Sequence, residues 1–348
     1  MNFASDNTAG IVPEILDALV RANAGFAPGY GNDDFTRAVE QRFCEAFERE
    51  VAVFLVPTGT AANALALAQL APPWGAVFCH AASHIASDEA GAPEFFGGGL
   101  KLVEIAGEGG KIAPSPLRAA LARGRGAPHS VLPAVLSLTQ STEFGTVYSL
   151  EDVRSLSAIA HERGLAVHMD GARFANALVT LGATPAEATW KSGVDVLSFG
   201  ATKAGALAAE AIVFFDPARA AGMPSRRKRG GQLVSKHRFL AAQFDSYFRD
   251  DLWLRLARHA NAAAARLGGK LTGIGLPPLW PVEANEVFVL LPAAADQRLK
   301  RAGATYYPWD LERLPADTTR DTGQLVRLVT SFATSEAEIE QFVTLAAG

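Results

Sequence analysis

The sequence predicts an α/β fold: a large domain on a mainly parallel sheet flanked by helices, then a smaller α+β carboxyl-terminal domain. Three observations predict it. The 348 residues exceed the usual span of one domain. Short apolar runs alternate with helix-length segments from residue 51 to residue 215. Beyond that stretch the pattern changes to one long helical region followed by three further strands. The expected organisation is an amino-terminal arm and helix over 1–30, a large α/β domain over 31–245 and a small α+β domain over 246–348.

Pro13 opens a helix that runs to Gly25, with proline at the start and glycine at the stop. After the loop FAPGYGNDD, residues 35–48 place Phe35, Val39, Phe43 and Phe47 on one helical face. The runs VAVFLV, AVFC, KLVEI, SVLPAVLSL, LAVHM, VDVLSF and EAIVFF then follow, apolar on both faces, as strands of a buried parallel sheet are. Residues 234–267 read as wholly helical, and EVFVLL, ATYYPW and LVRLVTSF as the strands of the second domain. Neither boundary has a Gly/Ser or Pro-rich linker, so the two parts are expected to pack closely and share a cleft.

Composition narrows the function. Hydrophobic residues at 49% and charged residues at 20% fit an ordinary packed core, which excludes disordered and fibrous classes. A formal charge of -4 gives no general attraction for nucleic acid or an anionic membrane. The two cysteines, Cys44 and Cys79, are too few for a disulfide scaffold or a zinc cluster. The first residues lack a secretory pattern and no stretch approaches the roughly 20 apolar residues of a membrane span, so a soluble cytoplasmic protein is expected.

Four segments can carry chemistry. In PTGTAANAL (57–65) a strand turns through Thr58, Gly59 and Thr60 into a helix whose free amides would seat a phosphate. Read alone, the turn is more often a simple cap. In LAVHMDGARF (165–174) Asp170 stands just beyond a strand, where it could pair with a ring nitrogen or equally cap the next helix. In VDVLSFGATKAGA (194–206) Lys203 follows another strand, placed either for Schiff-base chemistry or in a solvated loop. The spacing of Asp170 and Lys203 allows one helical crossover, which would bring both to one sheet edge. Three complementary groups in this order favour the functional reading.

The fourth segment, CHAASHIASDEAGAPEFF, spaces His80, His84 and Asp88 as a helical metal site would. The metalloprotease pattern is absent and AVFC leaves His80 in a loop, so no metal is expected and His84 is assigned to packing on an aromatic cofactor ring. Arg327 lies inside the apolar strand LVRLVTSF and needs a carboxylate partner, either an internal acid or the substrate. The basic run in SRRKRGGQLVSKHRF reads as a solvated or subunit-contact loop.

FASDNTAG, PGYGNDDFT, FLVPTGTAANAL, HAASHIASDEAGAP, HMDGARFANAL, SFGATKAG and LVRLVTSF, in this order, resemble the low-specificity L-threonine aldolases of the β-eliminating lyase group. That family has the aspartate-aminotransferase-like fold of pyridoxal-phosphate enzymes. The resemblance implies retro-aldol cleavage of L-threonine, L-allo-threonine and related L-β-hydroxy-amino acids to glycine and an aldehyde. The alternative within the fold is another pyridoxal-phosphate lyase, or a phenylserine aldolase, acting on a larger amino acid.

The same resemblance implies Lys203 as the cofactor's Schiff-base lysine, Asp170 on the pyridine nitrogen, Gly59 and Thr60 on the phosphate and His84 on the ring. Ser5, Arg173 and Arg327 would bind the substrate carboxylate, Tyr30 would line the pocket, and Lys228 matches a lysine near the active site. It further implies a homotetramer with active sites shared between subunits, and no nucleic-acid or membrane partner. One departure stands out: STEFG, with Glu143, replaces the family's Thr-His-Asn-Gly segment, which opens the identity of the hydroxyl-handling base.

Overall fold

The computed structural model describes residues 1–124, 126–309 and 323–348. Its larger sheet consists of β1 (Ala52–Val56), β2 (Gly75–His80), β3 (Lys101–Ile105), β4 (Leu132–Thr139), β5 (Ala166–Gly171), β6 (Val196–Gly200) and β7 (Glu210–Phe214). The strand order is β1-β7-β6-β5-β4-β2-β3. Strands β6, β5, β4, β2 and β3 are parallel neighbours, and β7 runs antiparallel to both β1 and β6. The residues of β2, β5, β6 and β7 are buried at every position, so apolar and β-branched side chains suit both faces.

This topology decides where chemistry can occur. Parallel neighbours need a crossover, supplied between β4 and β5 by the helix Leu150–His161 and between β5 and β6 by Phe174–Leu181. Their carboxyl ends therefore share one edge, where open α/β sheets bind ligands. Because β7 is reversed, its first residue, Glu210, reaches that edge too.

A second sheet of β8 (Glu286–Leu291), β9 (Tyr307–Pro308) and β10 (Gln324–Val329) is antiparallel, in the order β8-β10-β9. Val287, Val289, Leu291, Val326 and Leu328 share a core with Leu267, Leu271 and Phe342. Phe3 is fully buried in that core, and Asn2 bridges Thr305, so the amino-terminal arm belongs physically to the small layer.

Several sequence expectations change. The run 234–267 is not wholly helical: helices Arg238–Phe248 and Leu252–Gly273 are separated at Arg249–Asp251, where Asp250 and Asp251 adopt φ 51 and 52. Leu240, Ala241, Phe244 and Tyr247 of the first helix pack into the core under the large sheet, so a boundary at 245/246 falls inside that helix. His80 is not in a loop but closes β2, where Nδ1 accepts from the Ala82 amide (3.0 Å) and Nε2 donates to the Gly107 carbonyl (3.0 Å). ATYYPW contributes only the two residues of β9. In the helix Asp34–Ala46, Val39 and Phe43 are buried as the period requires, whereas Phe35 is exposed.

The large core is knit by aromatic rings. Phe43 meets Phe199 of β6 at 5.6 Å, Phe244 at 5.3 Å and Phe248 at 4.9 Å, all edge to face. Phe43→Ala should therefore lower the unfolding free energy by about 3–5 kcal/mol in urea titrations; a loss below about 1 kcal/mol would show that this cluster does not anchor the helix to the sheet.

Candidate active site

Register aligns the functional edge. Thr139 of β4 lies opposite Asp170 of β5, and Asp170 lies opposite Ser198 of β6. Beyond this row the chains come unusually close: a Cβ at Gly200 would meet the Ala172 carbonyl oxygen at 2.7 Å, and one at Gly171 would meet the Ser198 oxygen at 2.8 Å. Glycine at both positions lets the turns bearing Arg173 and Lys203 leave the sheet side by side. Between them opens a cleft of about 280 Å³, lined among others by Thr58, Gly59, Thr60, His84, Asp170 and Lys203. These distant sequence motifs share one hollow.

Asp170 is held on two sides. Its Oδ1 accepts from the Ala172 amide (3.0 Å) and its Oδ2 from the Asn63 side chain (2.8 Å). The Asn63 amide nitrogen also donates to Glu89 Oε1 (2.8 Å), and His84 Nδ1 stands 2.9 Å from that same oxygen. The Glu89 bond raises the His84 pKa, so Nδ1 carries the proton and Nε2 is left as the ring's other site. Burial in turn pushes the Glu89 carboxyl up, with His84 and Asn63 opposing. The ring of His84 is thereby fixed in orientation and tautomer.

Lys203 sits in the short turn Thr202–Ala204. The next residue, Gly205, has φ 103, and a Cβ there would meet Val12 Cγ1 at 2.6 Å, so the turn is clamped against the amino-terminal segment. The Val12 amide donates to the Gly205 carbonyl at 3.0 Å. Across the cleft, Thr58 caps the helix Gly59–Leu70 by accepting from the Ala61 amide (3.1 Å). The amides of Gly59 and Thr60 at its first turn have no carbonyl behind them, and a Cβ at Gly59 would meet open space. The capped turn leaves two amides that could receive an anion.

The expected carboxylate ligands are already engaged with acids. Arg173 donates from Nε and Nη2 to Asp6 (2.8 and 3.1 Å), and Nη2 lies 3.5 Å from Glu286 Oε1. Burial works against its charge, yet Asp6 and Glu286 prevail and raise its pKa. Arg327 Nη1 is 3.7 Å from the same Glu286 oxygen, with its guanidinium 4.7 Å from the Trp309 ring centroid. An internal acid thus does meet Arg327. Arg173 lines the cleft and Arg327 does not, so the structure brings only one of the pair to it. Ser5 accepts from the Asn7 amide (3.2 Å) and caps its turn, and Asn7 rather than Ser5 lines the cleft.

Other expected residues lie apart. Tyr30 and Lys228 pack on each other, Nζ 4.9 Å from the ring centroid, away from the cleft of this chain. Asp88 is exposed and accepts from Ser87 Oγ (2.8 Å). His80 faces the backbone of Ala82 and Gly107, so His80, His84 and Asp88 do not converge.

Glu143 lines the cleft, half-buried as a residue but with its Oε2 atom out of solvent. Its Oε1 accepts from the His84 amide (2.7 Å) and Thr139 Oγ1 (3.1 Å), whereas Oε2 has no hydrogen-bond partner. Burial first, then Asp170, pushes its pKa up to about 7. His168, between Ser137 Oγ and Ser198 Oγ at 2.9 Å each, is pushed down to about 4 by burial and stays neutral.

Sequence reasoning passed over Asp6, Asn63, Glu89, Glu210 and Glu286. Two left a signal: Asn63 is polar within the otherwise apolar start of TAANALAL, and Glu210 opens the buried strand EAIVFF.

Glu143 gives a pH test. Its folded pKa lies above the 4.5 of an ordinary glutamate, so the stability contributed by its bound proton is full below 4.5 and is lost as the pH rises through about 7. Glu143→Gln escapes that loss. The Tm of the variant minus that of wild type should grow from about pH 5 to about pH 8 in thermal melts, and a constant difference would count against the buried acid.

Comparisons with known proteins agree with this architecture. The family model for beta-eliminating lyases matches residues 2–294. The chain is 45% identical over 306 residues to a low specificity L-threonine aldolase of Pseudomonas aeruginosa, covering 88% of each chain. It is 44% identical over the same length and coverage to the enzyme of that name from a Pseudomonas species, strain NCIMB 10558. Among solved structures, a threonine aldolase of Leishmania major superposes with a TM-score of 0.92 at 30% identity, covering 99% of this chain and 98% of that one. With the family model spanning both the turn at residues 58–60 and the turn Thr202–Ala204, the chain belongs to the beta-eliminating lyase family.

Proposed function

We propose that this protein is a pyridoxal-phosphate aldehyde-lyase that cleaves L-threonine, L-allo-threonine and related L-β-hydroxy-amino acids to glycine and an aldehyde. One observation carries the reading: an amine, a carboxylate and a helix amino terminus face a single cleft at the carboxyl edge of the sheet. That donor set fits an aromatic ring with an aldehyde, a basic nitrogen and a phosphate. When bound, the cofactor withdraws electrons from the substrate α-carbon and so weakens any α-carbon bond held perpendicular to its ring.

The protein's own groups then divide the work. Lys203 would hold the cofactor's aldehyde through its amine and make way there for the substrate amine. Asp170, fixed by Asn63 and the Ala172 amide, would pair with the ring nitrogen and favour its protonated form. Gly59 and Thr60 offer amides to the phosphate, helped by the helix dipole. His84, locked by Glu89, covers the ring.

Orientation selects the bond. Arg173, with Nη1 left over from its acid partners, and Arg327, which stands outside the cleft beside Glu286 and would turn into it, take the substrate carboxylate and turn the Cα–Cβ bond toward the cleavable direction. Glu143 or His84 Nε2 removes the β-hydroxyl proton; the carbonyl of the leaving aldehyde forms, the Cα–Cβ electron pair stays with the α-carbon, and that carbon is reprotonated to give glycine. The unpartnered Glu143 Oε2 supports its part in this transfer.

The working assembly is a homotetramer in the cytoplasm. Exposed Phe26, Tyr30 and Leu207 support burial against other copies, which would let Tyr30 and Lys228 of one subunit line the cleft of another. The free thiols Cys44 and Cys79 suit a reducing compartment. Among the described residues no helix is long and apolar enough to cross a membrane.

The test is an aldehyde-release assay on a panel of L-β-hydroxy-amino acids. Lys203→Ala should abolish release, and Arg327→Ala should lower kcat/KM for L-threonine about 100-fold or more through lost alignment. Glu143→Gln should cut kcat by roughly 10²–10⁴ if it is the base. Keto acid or ammonia in place of aldehyde would overturn the proposal.

A further inference from the structure

One buried carboxyl at the cleft has no part in the steps above. Glu210 is the first residue of β7, and register sets it opposite Gly200 of β6 on one side and Val56 of β1 on the other. The chain that leaves Gly200 reaches Lys203, and the chain that leaves Val56 reaches the phosphate-seat turn at Thr58. Glu210 thus stands at the sheet edge between amine and anion seat, and it lines the same cleft as both.

The local geometry ties it to the lysine turn. The Ala201 amide donates to the Ala209 carbonyl (3.2 Å), and the Ala209 amide donates to Thr202 Oγ1 (3.1 Å). Thr202 also favours the charged form of the Glu210 carboxyl. The groups whose charge or polarity acts on that carboxyl are Thr202 and Lys203 from the turn after β6, and Asp170 from β5, while the carboxyl acts in turn on Tyr247 from the helix Arg238–Phe248. Tyr247 is held neutral, its pKa raised by burial and by Glu210 itself. Of this set, Lys203 is the cation, and it also interacts with Asp6 from the amino-terminal arm and with His84.

A carboxylate on a fully buried strand is costly unless it meets an opposite charge. Burial pushes Glu210 up to about 7, while Thr202 and Lys203 pull the other way, so above neutrality it is anionic in the cleft that Lys203 also lines. We propose that Glu210 is a positioning residue for Lys203, whose carboxylate keeps the cofactor-linked lysine nitrogen protonated and holds it between the phosphate seat and Asp170. A protonated nitrogen leaves the carbon bonded to it open to attack by the substrate amine. This inference rests on Lys203 being the cofactor-bearing amine.

The protonated and unprotonated lysine–cofactor linkages absorb at different wavelengths, so the holoenzyme reports the proton directly. Absorbance should be followed against pH in wild type, Glu210→Gln and Glu210→Asp. Removing the charge should lower the midpoint by about one unit or more in Glu210→Gln, the effect of losing a nearby opposite charge. Glu210→Asp keeps the charge but shortens the arm by one methylene; its midpoint should fall by less, and it decides the matter if the glutamine variant does not fold. Midpoints that coincide with wild type overturn the inference and leave the activity reading intact. A pH-dependent linkage band that persists in Lys203→Ala overturns the lysine assignment beneath it.

Discussion

The structure depends on how closely the ends of β5 and β6 approach. Gly171 and Gly200 place backbone atoms of the two strands where no side chain fits, and that contact sets the turn of Asp170 and Arg173 against the turn of Lys203. Parallel pairing supplies the common direction, and the register row Thr139, Asp170, Ser198 supplies the depth. A cleft at this edge follows from topology, but its width follows from those glycines. The clamped turn at Gly205 and Val12 then fixes the lysine from the opposite side.

Charge is the second organising constraint. The cleft and its wall bury Asp6, Glu89, Asp170, Glu210 and Glu286 and hold the half-buried Glu143, more acids than the cations Lys203, Arg173 and Arg327 can neutralise. Each acid is handled by its own surroundings. Asp6 is held below the usual carboxylate range: burial alone would raise it, but Arg173, Lys203 and Asn285 outweigh burial. Glu143 and Glu210, with weaker support, are pushed to about 7. Carboxyls in one hollow are thus separated by their surroundings into one that stays charged and two that titrate near neutrality.

The arginine pair shows the same economy. Glu286 lies fully buried near both Arg173 and Arg327 at 3.5 and 3.7 Å, and neither of its oxygens has a hydrogen-bond partner. These contacts link the amino-terminal arm through Asp6, the large sheet through Arg173 and the small sheet through Glu286 and Arg327. The layers of the molecule are joined by charge where they meet the cleft.

The sequence by itself determined the α/β architecture, because strands buried on both faces must be apolar throughout and parallel strands must alternate with helices. It also determined that Asp170, Lys203 and the turn at Gly59 and Thr60 would sit at strand ends, since each motif follows an apolar run directly. Only the tertiary structure decided which groups surround them. Asn63 reaches Asp170 from 107 residues away, and Arg173 meets Asp6 across 167. No local periodicity encodes such pairings. The break at Arg249–Asp251 and the docking of Phe3 in the small core were hidden for the same reason: a helical pattern does not reveal a two-residue left-handed kink, and a short arm shows no period that names its partner.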